Sequence, residues 1–126
     1  MSTTITRTTH APYPPLPYKK IAEDILGARY ELSLVFVGER RARTLNITHR
    51  KKDYVPNVLS FPLDAQAGEI FITPARTRVE AKRHHMTIAG HTGLLFIHGL
   101  LLLKGHLHGA TTEKAEKKYI SKYKLK

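Results

Sequence analysis

The stretch Thr87 to Gly109, TIAGHTGLLFIHGLLLLKGHLHG, decides the fold. From Thr87 to Lys104 it is apolar on most sides, and it is long enough for about five helical turns. A helix apolar all round is covered on every side, so the segment predicts a central buried helix rather than a surface one. Its apolar run is broken by His98 and ends at Lys104, short of the roughly 20 residues that span a bilayer. Gly105 stands where a C-terminal cap belongs.

Working outward, Thr111 to Lys126 places Ala115, Tyr119 and Ile120 on one stripe among Lys114, Lys117, Lys118, Lys122, Lys124 and Lys126. This predicts an amphipathic, basic closing helix. Upstream, Pro74 to His85 is polar and basic and reads as partly helical. Asn57 to Leu63 and Glu69 to Thr73 are short apolar runs around a loop with Asp64 and Gly68, the pattern of neighbouring strands. Tyr30 to Val37 turns from alternation to a β-branched and aromatic run, a strand that becomes fully buried. Gly38 ends it, and Glu39 to His49, with Ala42, Leu45 and Asn46 among arginines, suits a basic helix lying on the sheet. Lys19 to Leu26 reads as a short first helix stopped by Gly27.

Residues 1–17 combine Thr with Pro12, Pro14, Pro15 and Pro17, which forbids helix and favours an extended leader. The expected organisation is a proline-rich arm over 1–17 and a single domain over 18–126. The expected class is α+β: a small mixed sheet of three to four strands packed with helices, the long helix through the centre. No internal repeat is visible.

Lys and Arg number 21 against 10 Asp and Glu, a formal charge of +11. Such a surface attracts polyphosphates and gains free energy by releasing their counterions, although charge alone does not choose among RNA, DNA and anionic lipid. The chain has no cysteine, which excludes disulfides, thiolate metal sites and a cysteine nucleophile. Met1 to His10 lacks the apolar core of a signal peptide, so the expectation is a cytoplasmic protein with no membrane partner.

Chemistry concentrates at the end of the long helix. His98 lies on it and His108 just past the Gly105 turn, so the chain reverses between them and two imidazoles can approach one point, as at a metal site. A histidine on an apolar helix face is equally an ordinary core residue bonded to backbone. A metal site built on one helix wants its second histidine at i+4, and that position holds Leu102. His91 is on the same face but about 10 Å away along the axis, which suits a buried structural role. Arg50, Lys51, Lys52 and Asp53 read alone as a solvated basic loop. With Arg40, Arg41 and Arg43 on the preceding helix they become a candidate phosphate-tracking face. Ser60 reads as a backbone-bonded core residue, and Tyr13 and Tyr18 as aromatics that fold back onto the domain.

The segment from His98 to His108 resembles the signature of the YbeY family of endoribonucleases, His-Gly-x-Leu-His-Leu-x-Gly-Tyr-Asp-His. His98, Gly99, Leu101, Leu103, Gly105 and His108 match it, while Leu102 replaces the middle histidine and His106-Leu107 replace Tyr-Asp. Leu45 to Asp53, LNITHRKKD, is similar to the family's Leu-Asn-x-x-x-Arg-x-Lys-Asp. Asn57 to Pro62 is its Asn-Val-Leu-Ser-Phe-Pro, and Gly68 to Ile72 resembles its Gly-Asp-Ile-x-Ile strand. The blocks follow the family's order, and the resemblance covers roughly residues 20 to 125.

That resemblance implies a single-strand-specific, metal-dependent endoribonuclease of rRNA maturation, with RNA and the ribosome as partners. It implies one divalent ion, zinc, held by three histidines, with an open position for a water acidified enough to attack a phosphodiester. His98 and His108 are then the remaining ligands. Arg50 is implied as the catalytic phosphate clamp, and the basic face read from the charge pattern makes Arg50, Lys51, Lys52 and Arg43 the expected RNA contacts. Loss of even a supporting partner of a metal ligand costs about 10- to 100-fold in affinity or activity, so Leu102 predicts weak or absent zinc and reduced cleavage. His106 is a candidate substitute ligand; phosphate contact and plain solvent exposure are its other readings. The alternative expectation is a non-catalytic RNA- or ribosome-binding protein that keeps the fold.

Overall fold

The computed structural model describes residues 2–105 and 110–125. Along the chain run β1 (Ser2–Arg7), α1 (Tyr18–Leu26), β2 (Glu31–Phe36), α2 (Glu39–Arg50), β3 (Val58–Asp64), β4 (Ala67–Ile72), α3 (Pro74–Arg83), α4 (Ile88–Leu103) and α5 (Ala110–Lys122). The strands form one mixed sheet in the order β1-β2-β4-β3. β1 and β4 flank β2 in parallel, and β3 runs antiparallel to β4.

The stretch read as a leader therefore begins inside the sheet. Ser2 pairs with Glu31 and Arg7 with Phe36 at the two ends of a six-residue ladder. The prolines that rule out helix start only at Pro12, and STTITR ahead of them carries the β-branched residues that suit a pleated edge. Behind the strand the arm folds back. Tyr13 stacks on Phe36 with ring centroids 3.8 Å apart, and the Tyr18 hydroxyl donates to the Pro14 carbonyl at 2.5 Å.

Alternation along the strands builds two cores. Leu32, Leu34 and Phe36 of β2 and Ile70 and Ile72 of β4 face α1 and α4, meeting Ile21, Ile25, Phe96, Ile97, Leu100 and Leu101. The opposite face, with Leu59 and Phe71, packs on Ala42 and Leu45 of α2 together with Val37. Phe96, Ile97 and Leu100 are fully buried, so truncating any one to alanine costs about 2–5 kcal/mol.

The helix α4 starts where the Thr87 hydroxyl accepts the Gly90 N–H at 2.9 Å, an N-cap that satisfies one orphan donor. It ends before Gly105, whose φ of +101° is left-handed backbone that glycine adopts without strain. Gly99 lets α4 approach the sheet closely, since a Cβ there would sit 3.2 Å from Ile70 Cδ1. The β3–β4 turn is tighter than a loop through Gly68: Asp64 pairs with Ala67, and the Asp64 carboxylate accepts the Gln66 N–H at 2.7 Å. Gly68 consequently lies within β4. Among the described residues no single helix is long and apolar enough to cross a membrane.

Candidate nucleic-acid cleft

Four elements meet at a cavity of about 600 Å³. The last turn of α2 brings Arg50, and the segment after it brings Tyr54 and Asn57. Val58, Leu59 and Ser60 open β3; Leu94, Leu95, His98, Gly99 and Leu102 come from α4, and Glu116 from α5. A volume in the range of small-ligand sites, apolar walls and a few convergent polar groups make this the main candidate site.

Local chemistry explains why each group is there. Arg50 ends α2, where a cation complements the negative end of the helix dipole. Lys51 then turns the chain at φ 57°. The Ser60 hydroxyl donates to the Gly99 carbonyl at 2.9 Å, tying β3 to α4 at the cavity floor. Asn57 receives the Val58 N–H on its side-chain oxygen at 2.7 Å and donates to Glu80 at 2.9 Å. Burial pushes the Glu80 carboxyl up, but the bonds from His91 and Asn57 and the Arg76 charge outweigh it and hold it below its ordinary value.

His98 Nδ1 lies 2.9 Å from Glu116 Oε1, with the two side chains 22% and 14% exposed. An ionised carboxylate only accepts, so Nδ1 is the donor in this contact. Carboxylate-oriented imidazoles of this kind are common among metal-binding histidines. One turn on, Leu102 lines the same cavity, as the i+4 spacing requires. Its isobutyl group has no lone pair to offer an ion.

Among the described residues the donor set does not make up a three-nitrogen zinc centre. Among the described residues no group of three His, Asp or Glu side chains is placed to share an ion. His98 contributes one imidazole and Leu102 none. His106 and His108, read as substitute and remaining ligand, lie outside the described residues, and so does the convergence expected of His98 and His108.

The basic residues divide. Arg50 shares the cleft with His98, whereas Arg43 lines a separate groove with Glu39, Arg40, Thr44, Ile47 and Val55. Arg43 Nε also donates to Asp53 at 2.6 Å, and this bond holds the Asp53 carboxyl below its usual range. Lys51 and Lys52 are exposed beside them. His91 is buried and bonded to Glu80, and Tyr18 is core.

Sequence reasoning missed Glu116 and Tyr54. Glu116 had a signal: it shares the inward stripe of α5 with Thr112 and Tyr119, while the helix's lysines face outward. An acid on a buried stripe asks for a partner.

Residues 13–124 match the family model described as Endoribonuclease YbeY. Curated relatives named Endoribonuclease YbeY include one from Burkholderia cenocepacia, 35% identical over 109 residues, 79% of this chain and 63% of the relative. One from Cupriavidus metallidurans is 35% identical over 103 residues, 78% of this chain and 52% of the relative. One from Alkaliphilus metalliredigens is 34% identical over 98 residues, 69% and 63% respectively. The chain thus spans 52% to 63% of the length of these relatives. A solution structure of a Thermotoga maritima protein shares the fold with a TM-score of 0.65 at 24% identity, covering 94% of this chain and 86% of that one.

Proposed function

The chain belongs to the YbeY family, and from that premise we propose that it is an endoribonuclease that takes single-stranded RNA into the Arg50–His98 cleft, with cleavage reduced by Leu102. The observation that carries this reading is that Arg50, His98 and Leu102 line one open cavity. Arg50 offers a fork of guanidinium donors matched to a phosphate, and it stabilises charge that develops there during cleavage. Lys51 and Lys52 add sequence-independent attraction for the strand. Ribosomal RNA, on or near the ribosome in the cytoplasm, is the substrate class this reading assigns. Zinc or another divalent ion is held weakly or not at all, because Leu102 replaces a nitrogen donor.

A second reading has its own observation. With an apolar side chain at the point where a ligand belongs, the cleft suits binding without cleavage, and the protein is then a non-catalytic RNA- or ribosome-binding module. Elemental analysis of the purified protein beside cleavage of a single-stranded rRNA fragment separates the two, for the natural sequence and for Leu102→His. The enzyme reading expects the substitution to raise bound metal toward one ion per chain and cleavage by at least about tenfold. If neither protein cleaves and both bind the fragment, the binding module is right. If neither binds RNA, both readings fail.

A further inference from the structure

Tyr54 is the part of the cleft that phosphate chemistry leaves unexplained. Of the large apolar side chains that remain exposed among the described residues, Ile47, Tyr54, Leu63, Val79 and Ile88, it alone lines this cavity, and it is 49% exposed. Among the described residues its ring has no aromatic partner, which leaves a face on which a flat group can lie. The backbone under the ring is nevertheless fixed. Asn46, completely buried, donates from Nδ2 to the Tyr54 carbonyl at 3.2 Å and accepts the Lys52 N–H on its own carbonyl at 3.3 Å. Pro56 is buried just beyond. A ring held out on anchored backbone loses little freedom when a flat partner lies against it.

What surrounds Tyr54 selects that partner. Arg50 is on the same cavity, whose lining also includes the apolar residues Val58, Leu94, Leu95 and Leu102. A cation beside an aromatic face and an apolar recess is the combination that receives a nucleotide whose base has left its stack.

We propose that Tyr54 is the stacking platform for one unpaired nucleobase of an RNA strand whose neighbouring phosphate is held by Arg50. This deepens, and rests on, the RNA reading of the cleft. It accounts for a single-strand preference through Tyr54 itself: a paired base cannot reach the ring without giving up its own stack and partner.

The test uses a short single-stranded RNA carrying one 2-aminopurine, and the same strand with an abasic site at that position. Binding to the natural protein should quench the fluorescent base, and the abasic strand should bind at least about fivefold more weakly. Tyr54→Phe should keep both properties. Tyr54→Leu should bind the base-bearing strand about as weakly as the abasic one, with its thermal melting unchanged. Equal affinity of the natural protein for the two strands overturns the stacking role while leaving RNA binding intact, and it does so without any variant. If no RNA binds, or if Arg50→Ala binds both strands as the natural protein does, the RNA reading of the cleft falls and the platform with it.

Discussion

His91 and His98 stand two turns apart on one helix, and each is held by a glutamate at about the same distance, 3.0 Å to Glu80 and 2.9 Å to Glu116. They differ in which nitrogen is used and in what lies beyond it. His91 engages Glu80 through Nε2, is 7% exposed, and joins a closed knot in which Asn57 and Arg76 also reach the same carboxylate. His98 engages Glu116 through Nδ1, the nitrogen nearer the backbone, and lines the cleft beside Arg50 and Leu102. A histidine-carboxylate pair is therefore no signature by itself. A pair that uses Nε2 and shares its acid with other donors holds a fold together, whereas a pair that uses Nδ1 at a cavity wall aims the other end of the ring.

The largest effect that tests this contrast is on stability. Glu80→Ala leaves Asn57 Nδ2 and the buried His91 Nε2 without their acceptor. Each such loss costs about 1–3 kcal/mol, so denaturant unfolding should report a total of at least about 2 kcal/mol. Glu116→Ala removes one acceptor from the more exposed His98 and should cost about 1 kcal/mol. Equal losses would mean that both histidines are structural. Acid should separate them too. The folded Glu80 carboxyl lies below its ordinary 4.5, so its contribution to stability is fully present above that value and is lost as pH falls through the folded one. Unfolding series between about pH 3 and 6 should show that acid-side slope in the natural protein and a shallower one in Glu80→Gln.

Much of this was legible in the sequence, for reasons particular residues make clear. The all-round apolar run from Thr87 to Lys104 left no place for α4 except the centre, and the apolar runs within Tyr30–Val37 and Glu69–Thr73 marked β2 and β4. Spacing also put Leu102 beside His98, because i+4 geometry is local. β1 was hidden because its pairing is nonlocal: nothing in STTITR says that Glu31–Phe36 has a free edge to receive it. The hairpin turn was misplaced because a side-chain bond from Asp64, rather than the glycine, closes it. Glu116 approaches His98 from 18 residues away, and Tyr54 gains its meaning only from the cavity it shares with α4 and β3.

A middle-sized effect probes the tie between the two histidine regions. Ser60 binds the Gly99 carbonyl just after His98 on α4, so it locks the cleft side of β3 to the helix. Ser60→Ala should cost about 0.5–1.5 kcal/mol. It should also weaken binding of a single-stranded RNA more than Glu80→Gln does, since it loosens the open site and spares the closed knot. The reverse order would place the control of the cleft in the Glu80 network.

The smallest expected effect carries the same contrast to the surface. Arg43 is closed onto Asp53, while Arg50 is bonded to no carboxylate among the described residues. An arginine already neutralised has little counterion release left to give, because its own carboxylate competes with the phosphate. An unpaired one contributes fully. The logarithmic salt slope of single-strand binding should therefore fall by about 0.7 in Arg50→Ala and hardly change in Arg43→Ala, with melting unaltered in both. Asp53→Asn should reverse the second result by freeing Arg43, steepening the slope by up to about 0.7. If Arg43→Ala alone lowers the slope as much as Arg50→Ala, the ion pair opens on binding, and both arginines belong to one phosphate track.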